Sequence, residues 1–182
     1  MNSVHPRGRT SPIRSVLCLI AGLCSATGFG FAGAAHAQIV ALGASNVAGR
    51  GVSSSEAFPA QLERMLAGKG HNVRVTNAGI NGNTNADMLA RLDHAVPSGT
   101  RVVLLGTLGG RYNARRSGQG DQKAEFAAIM ARLRSRGIKI IPVTAAGVTR
   151  KHLQADGVHL TAEGHAVVAA RLLPSVIRAL GH

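Results

Sequence analysis

Gln38-Ile39-Val40-Ala41-Leu42-Gly43-Ala44-Ser45-Asn46 decides how this chain is read. A continuous apolar run that stops at glycine reads as a short buried strand, and the small residues after it read as a tight turn carrying a serine. Working outward, the same pattern returns. Val73 and Val75 alternate with polar residues toward Asn77, ahead of Asn77-Ala78-Gly79-Ile80-Asn81-Gly82-Asn83-Thr84. Arg101-Val102-Val103-Leu104-Leu105-Gly106 is the most clearly buried run, and Gly109-Gly110 follows it. Ile138 to Val143 reads as a fourth strand.

Helical spacing fills the intervals. Phe58, Leu62, Met65 and Leu66 recur on one face, with Ser53-Ser54-Ser55-Glu56 offering cap residues before them and Gly68 and Gly70 ending the helix. Asn85 to Val96 is expected as one helix stopped by Pro97. Asp121 to Arg136 is amphipathic, with Phe126, Ile129, Met130 and Leu133 inward. A last helix runs from Thr161 to Leu180, opened by a threonine cap and an acid in the first turn. Strands alternating with helices predict an α/β fold with a parallel sheet covered on both faces. Every strand-to-helix loop then lies on one edge, where ligands bind in such sheets. Ser45, Gly82 and Gly110 all fall in those loops.

The start of the chain reads differently. Arg7, Arg9 and Arg14 precede an apolar stretch from Val16 to about Ala35, and Ala35-His36-Ala37 is a small-x-small exit before Gln38. That describes a secretory signal peptide over residues 1–37, ahead of one domain over residues 38–182. Export to the periplasm or beyond is the corresponding expectation. Cys18 and Cys24, the chain's two cysteines, both lie in this leader, so the domain must hold its fold without a disulfide. The formal charge is +13. Such a balance can mean nucleic acid, an anionic lipid membrane or an acidic glycan surface as partner. The basic residues are scattered singly along helices, with only Arg115-Arg116 and Arg150-Lys151 adjacent, which favours general solubility. Four Phe, one Tyr and no Trp give no stacking platform, which argues against nucleic acid as a partner.

A few residues carry chemistry. Ser45, in a turn at a strand end, is the candidate nucleophile and needs a base to take its proton. His159 is the candidate base, and Asp156, three residues before it, can orient the ring and stabilise its charged form. His165 is expected on the surface of the last helix. Gly79, Gly82, Gly109 and Gly110 are candidate turn glycines near a developing oxyanion, with Gly79 and Gly109 expected to be ordinary turn residues. The eight histidines show no paired ligand spacing, so no metal site is expected.

These blocks, in this order, resemble the SGNH hydrolase family of GDSL-type esterases and lipases, closest to its short secreted arylesterase and lysophospholipase type. The stretches Ala57-Phe58-Pro59-Ala60-Gln61-Leu62 and Met88-Leu89-Ala90-Arg91-Leu92 resemble it too. The resemblance implies a flavodoxin-like three-layer α/β/α sandwich and no cofactor. It implies Ser45 as nucleophile, His159 as base, Asp156 as the orienting acid, and the Ser45 and Gly82 N–H groups as oxyanion donors. The implied substrates are small acyl or aryl esters and lysophospholipids. Two departures stand out. Ala44 replaces the family's usual Asp before the serine. Gly109-Gly110-Arg111-Tyr112-Asn113 replaces Gly-Gly-Asn-Asp, which leaves Asn113, Arg111 or no residue in the place of the third donor. A non-catalytic glycan- or membrane-binding module and a carbohydrate-ester deacetylase are the rival readings. The oligomeric state does not follow from the sequence.

Overall fold

The computed structural model describes residues 39–120 and 122–181, and the signal-peptide reading and both cysteines lie outside that range. Four strands, β1 (Ile39–Gly43), β2 (Val75–Gly79), β3 (Val102–Gly106) and β4 (Lys139–Pro142), form one sheet in the order β2-β1-β3-β4. All three pairings are parallel. The helices are α1 (Ser45–Ala48), α2 (Phe58–Ala67), α3 (Asn85–Ala90), α4 (Leu92–Ala95), α5 (Thr107–Arg116), α6 (Lys123–Ser135) and α7 (Ala162–Leu180), with a 3-10 turn at Arg150–His152.

Side chains alternate across a strand, and here both faces are covered. Ile39, Ala41, Val102 and Leu104 pack in one cluster with Phe58, Leu62 and Leu66 of α2 and Val168, Leu172 and Val176 of α7. Val40, Leu42, Val103 and Leu105 pack on the other face with Met88, Leu92, Ile129 and Leu133. The result is the expected three-layer sandwich. Complete burial of Phe58, Leu62 and Leu66 contributes about 1.5–3 kcal/mol each before entropy is counted. Among the described residues, no helix is long and apolar enough to cross a membrane.

The register places three glycines in a row. Gly43 pairs with Gly79 on one side and Gly106 on the other, so β1, β2 and β3 all end in glycine at the same level. The row is a ledge for α1. A Cβ on Gly79 would stand 2.2 Å from the Ala48 backbone nitrogen, and one on Gly106 would stand 2.7 Å from Val47 Cγ2. Gly79 is thus the last residue of β2, and close packing explains its identity better than the expected turn does.

Local expectations failed in three places. Ser53 and Glu56 do not cap α2; Ser53 donates from N–H and hydroxyl to the Glu56 carboxylate in a turn of its own (2.9 and 2.8 Å), and α2 starts after Ala57 with Pro59 in its first turn. The helix expected over Asn85–Val96 is broken at Arg91. There the guanidinium turns into the sheet end, donating to the Gly43 and Ala78 carbonyls (3.2 and 2.9 Å) and to Asn83 Oδ1 (2.7 Å). Finally, Gly109-Gly110 lies not in a loop but inside α5, which begins directly after β3. The glycines allow close approach: a Cβ on Gly110 would lie 2.3 Å from Asn85 Oδ1, and one on Gly109 3.0 Å from the Ala44 Cβ.

Candidate active site

The strand order changes direction at β1 and β3, and β1 delivers its end to that crevice. Ser45 opens α1 there, so its N–H is one of those with no acceptor inside the helical turn. Gly49 closes the turn in the left-handed region, its N–H on the Ser45 carbonyl. The side chain is nearly covered, yet Ser45 still lines a cleft.

The partner residues arrive from the segment before α7. Leu153 and Leu160 form an antiparallel bridge, and the Gln154 N–H donates to the His159 carbonyl (2.7 Å), which ties off a short loop. His159 Nε2 lies 3.0 Å from Ser45 Oγ, across 114 residues of sequence. Its Nδ1 lies 2.5 Å from Asp156 Oδ2. Asp156 Oδ1 accepts the N–H groups of Val158 and His159, both at 2.9 Å. The His159 ring N–H, and then these two backbone donors, hold the Asp156 carboxyl well below the usual carboxylate range. An ionised carboxylate only accepts, so Nδ1 carries the ring hydrogen and Nε2 presents a lone pair to the serine hydroxyl. The three expected residues are therefore brought together in the expected order.

Two residues overlooked in the sequence hold this arrangement. The Asn46 side-chain amide donates to the Val158 carbonyl (3.0 Å) and accepts the Leu160 N–H (3.0 Å), so it grips the chain on both sides of His159. The Gln154 amide donates to the Arg50 and Leu160 carbonyls, both at 2.7 Å, tying the serine turn to the histidine segment again. Adjacency to Ser45 was the available signal for Asn46; Gln154 gave none.

Gly82 sits in the turn Ile80–Asn83, closed by the Asn83 N–H on the Ile80 carbonyl (3.2 Å), with φ +80°. That value requires glycine or a near equivalent at this turn position. Arg91 fixes the turn through Asn83. The cleft, about 760 Å³, is lined by Ser45, Gly82, Asn113 and His159. Gly109, Tyr112, Asn113 and Arg116 line it from α5, a spacing that puts them on one helix face. Asn113 Nδ2 donates to the Asn83 carbonyl (2.9 Å), beside Gly82. Arg111 is not among the lining residues, and its Nε is buried without a partner. Of the two candidates in the altered block, it is Asn113 that reaches the cleft.

His165 corrects another expectation. It is completely buried instead of lying on the surface of α7, stacked near Phe58 (centroids 6.2 Å apart) with Nδ1 accepting the Phe58 N–H (3.2 Å). Burial pushes its pKa down to about 4, against a small opposing pull from Glu56. It is a core residue of the α2–α7 layer.

Known proteins point the same way. The GDSL-like Lipase/Acylhydrolase family matches residues 41–151. Esterase TesA of Pseudomonas aeruginosa is 30% identical over 108 residues, which is 59% of this chain and 54% of that protein; the match spans about half the relative's length. A crystal structure of TesA superposes with a TM-score of 0.67 at 23% identity, covering 78% of this chain and 98% of that one. The psychrotrophic esterase EstA from Pseudoalteromonas sp., in a structure inhibited by monoethylphosphonate, gives 0.67 at 15% identity, covering 79% and 98%. At those identities the structural likeness is one of fold.

Proposed function

The chain belongs to the GDSL-like lipase/acylhydrolase family, and from that premise we propose that it is an exported serine ester hydrolase that works through an acyl-enzyme on small acyl or aryl esters or lysophospholipids. The observation that supports this reading is the unbroken line from Asp156 Oδ2 to His159 Nδ1 (2.5 Å) and from His159 Nε2 to Ser45 Oγ (3.0 Å).

In this reading His159 Nε2 takes the Ser45 hydroxyl proton as Oγ bonds to the ester carbonyl carbon. Asp156 stabilises the imidazolium that results and keeps the ring in one tautomer. The carbonyl oxygen becomes an oxyanion facing the Ser45 and Gly82 N–H groups, with the Asn113 amide as third donor. When the carbon–alcohol bond breaks, His159 passes its proton to the departing alcohol. Water then attacks the acyl-serine with His159 as base, and the acid leaves as the Oγ–carbon bond breaks and the proton returns to Ser45. Asn113 restores the donor that the altered third block removes from its usual place, while its amide also donates to the Asn83 carbonyl.

The domain without its leader, assayed on short-chain p-nitrophenyl esters beside Ser45→Ala, tests the proposal. Turnover that falls at least a thousandfold in the variant supports it. Equal rates from both proteins would remove it.

A further inference from the structure

We infer that the alcohol part of the ester carries an anionic group, a carboxylate or a phosphate, bound by Arg50 and Arg116 at the mouth of the cleft; this rests on the hydrolase reading above. Two hollows meet beside Ser45, sharing Asn46, Gly109 and Val158. The smaller, about 110 Å³, is walled by apolar side chains including Val47, Phe58, Val143, Leu160 and Val168. It suits a short acyl chain, because apolar residues make up most of its wall, with Asn46 and Thr144 the polar side chains that line it. An ester has two sides, so the alcohol falls in the larger cleft, which contains Arg50, Tyr112 and Arg116.

The charge in that cleft is unbalanced. Asp156 is its one carboxylate, and both of its oxygens are occupied by His159 and two backbone N–H groups. Among the described residues, neither Arg50 nor Arg116 is in an ion pair. Exposed arginines on a positive protein commonly mean nothing beyond solubility. These two differ in lining the cleft that holds Ser45, Arg50 with its backbone tied down and Arg116 with its guanidinium on Tyr112. The Arg50 carbonyl is fixed by the Gln154 amide that also binds the Leu160 carbonyl. Arg116 donates to the Tyr112 hydroxyl (3.2 Å) and stands over its ring at 5.7 Å, one helical turn along the α5 face that carries Asn113. A guanidinium offers paired donors matched to carboxylate or phosphate oxygens, and a concave site concentrates its field.

The test uses three acetyl esters: 4-acetoxybenzoate, 4-acetoxyphenyl phosphate and methyl 4-acetoxybenzoate, the neutral control. Arg50→Gln and Arg116→Gln change exposed positions and spare the core. Each is expected to lower kcat/KM for an anionic ester about fivefold more than for the neutral one, through KM, with the double variant losing more and with salt eroding the wild-type preference. The carboxylate and phosphate arms separate the two anion chemistries. A neutral ester cleaved as well as the anionic ones, with equal losses for all three in the variants, would overturn the inference and leave the hydrolase intact. No turnover of any ester, together with no labelling of Ser45 by a fluorophosphonate, would overturn both.

Discussion

Asn46 shows how much of the site depends on side chains that do no chemistry. Its amide fixes the Val158 carbonyl and the Leu160 N–H, so the imidazole between them cannot drift from Ser45. Asn46→Ala is expected to lower kcat on the order of a hundredfold while KM changes little, because misplacement of a base by about 1 Å costs that much. Saturation kinetics on p-nitrophenyl acetate reads the two apart; a loss confined to KM would contradict a positioning role. Asp156→Asn is expected to lower kcat by about two to four orders of magnitude with the thermal midpoint little changed, since an amide cannot enforce the tautomer. His165 carries a pH prediction of a different kind. Its folded pKa, about 4, lies below the ordinary 6.5, so the unfolded chain binds the proton more readily. Stability from this group is complete above pH 6.5 and falls as pH drops from 6.5 toward 4, by on the order of 3 kcal/mol. The carboxylates with lowered pKa, Asp87 and Glu163 among them, lose their contribution at lower pH, from about 4.5 downward. Urea midpoints measured from pH 7.5 to 4 should fall; a flat profile would contradict the buried neutral ring.

At the scale of elements, the row of Gly43, Gly79 and Gly106 is what lets α1 fold back over the sheet end with its serine. Gly79→Ala forces a methyl to within 2.2 Å of the Ala48 backbone nitrogen. It is expected to lower the melting temperature by about 5–10 °C and ester turnover with it, since overpacking typically costs about 1–3 kcal/mol and here neither partner is a flexible side chain. Gly68→Ala, where φ is −63° and a Cβ would stand 3.5 Å from its nearest neighbour, is the control that should keep turnover. The strands and the helices α2, α6 and α7 were legible because their apolar periodicity is set by burial, which sequence records directly. α5 was not. Its face of Gly109, Tyr112, Asn113 and Arg116 looks into a cleft instead of a core, so the spacing carried no apolar signal, and Gly109-Gly110 read as a turn. The break at Arg91 was equally hidden, because the carbonyls that draw the guanidinium belong to β1 and β2.

Across the whole molecule, the doubly wound order β2-β1-β3-β4 explains why residues 114 positions apart meet. β1 and β3 are the central strands, and their residues Ile39–Leu42 and Val102–Leu105 are buried, so their amides are expected to exchange most slowly, with β4 exchanging earlier as an edge. Hydrogen-exchange mass spectrometry resolves that order. Ser45, Asp156 and His159 were candidates from their spacing and from the family resemblance, and the fold brings their side chains together. His165 was misplaced because the pairing of α7 with α2, which buries it against Phe58, is a tertiary fact. The central claim is that the Ser45 hydroxyl is activated by His159. Intact-protein and peptide mass spectrometry after a fluorophosphonate pulse measures that most directly. The expected result is one adduct, on Ser45, forming at least a hundredfold more slowly in His159→Ala; no adduct on Ser45, or one that forms as fast without the imidazole, would contradict the account.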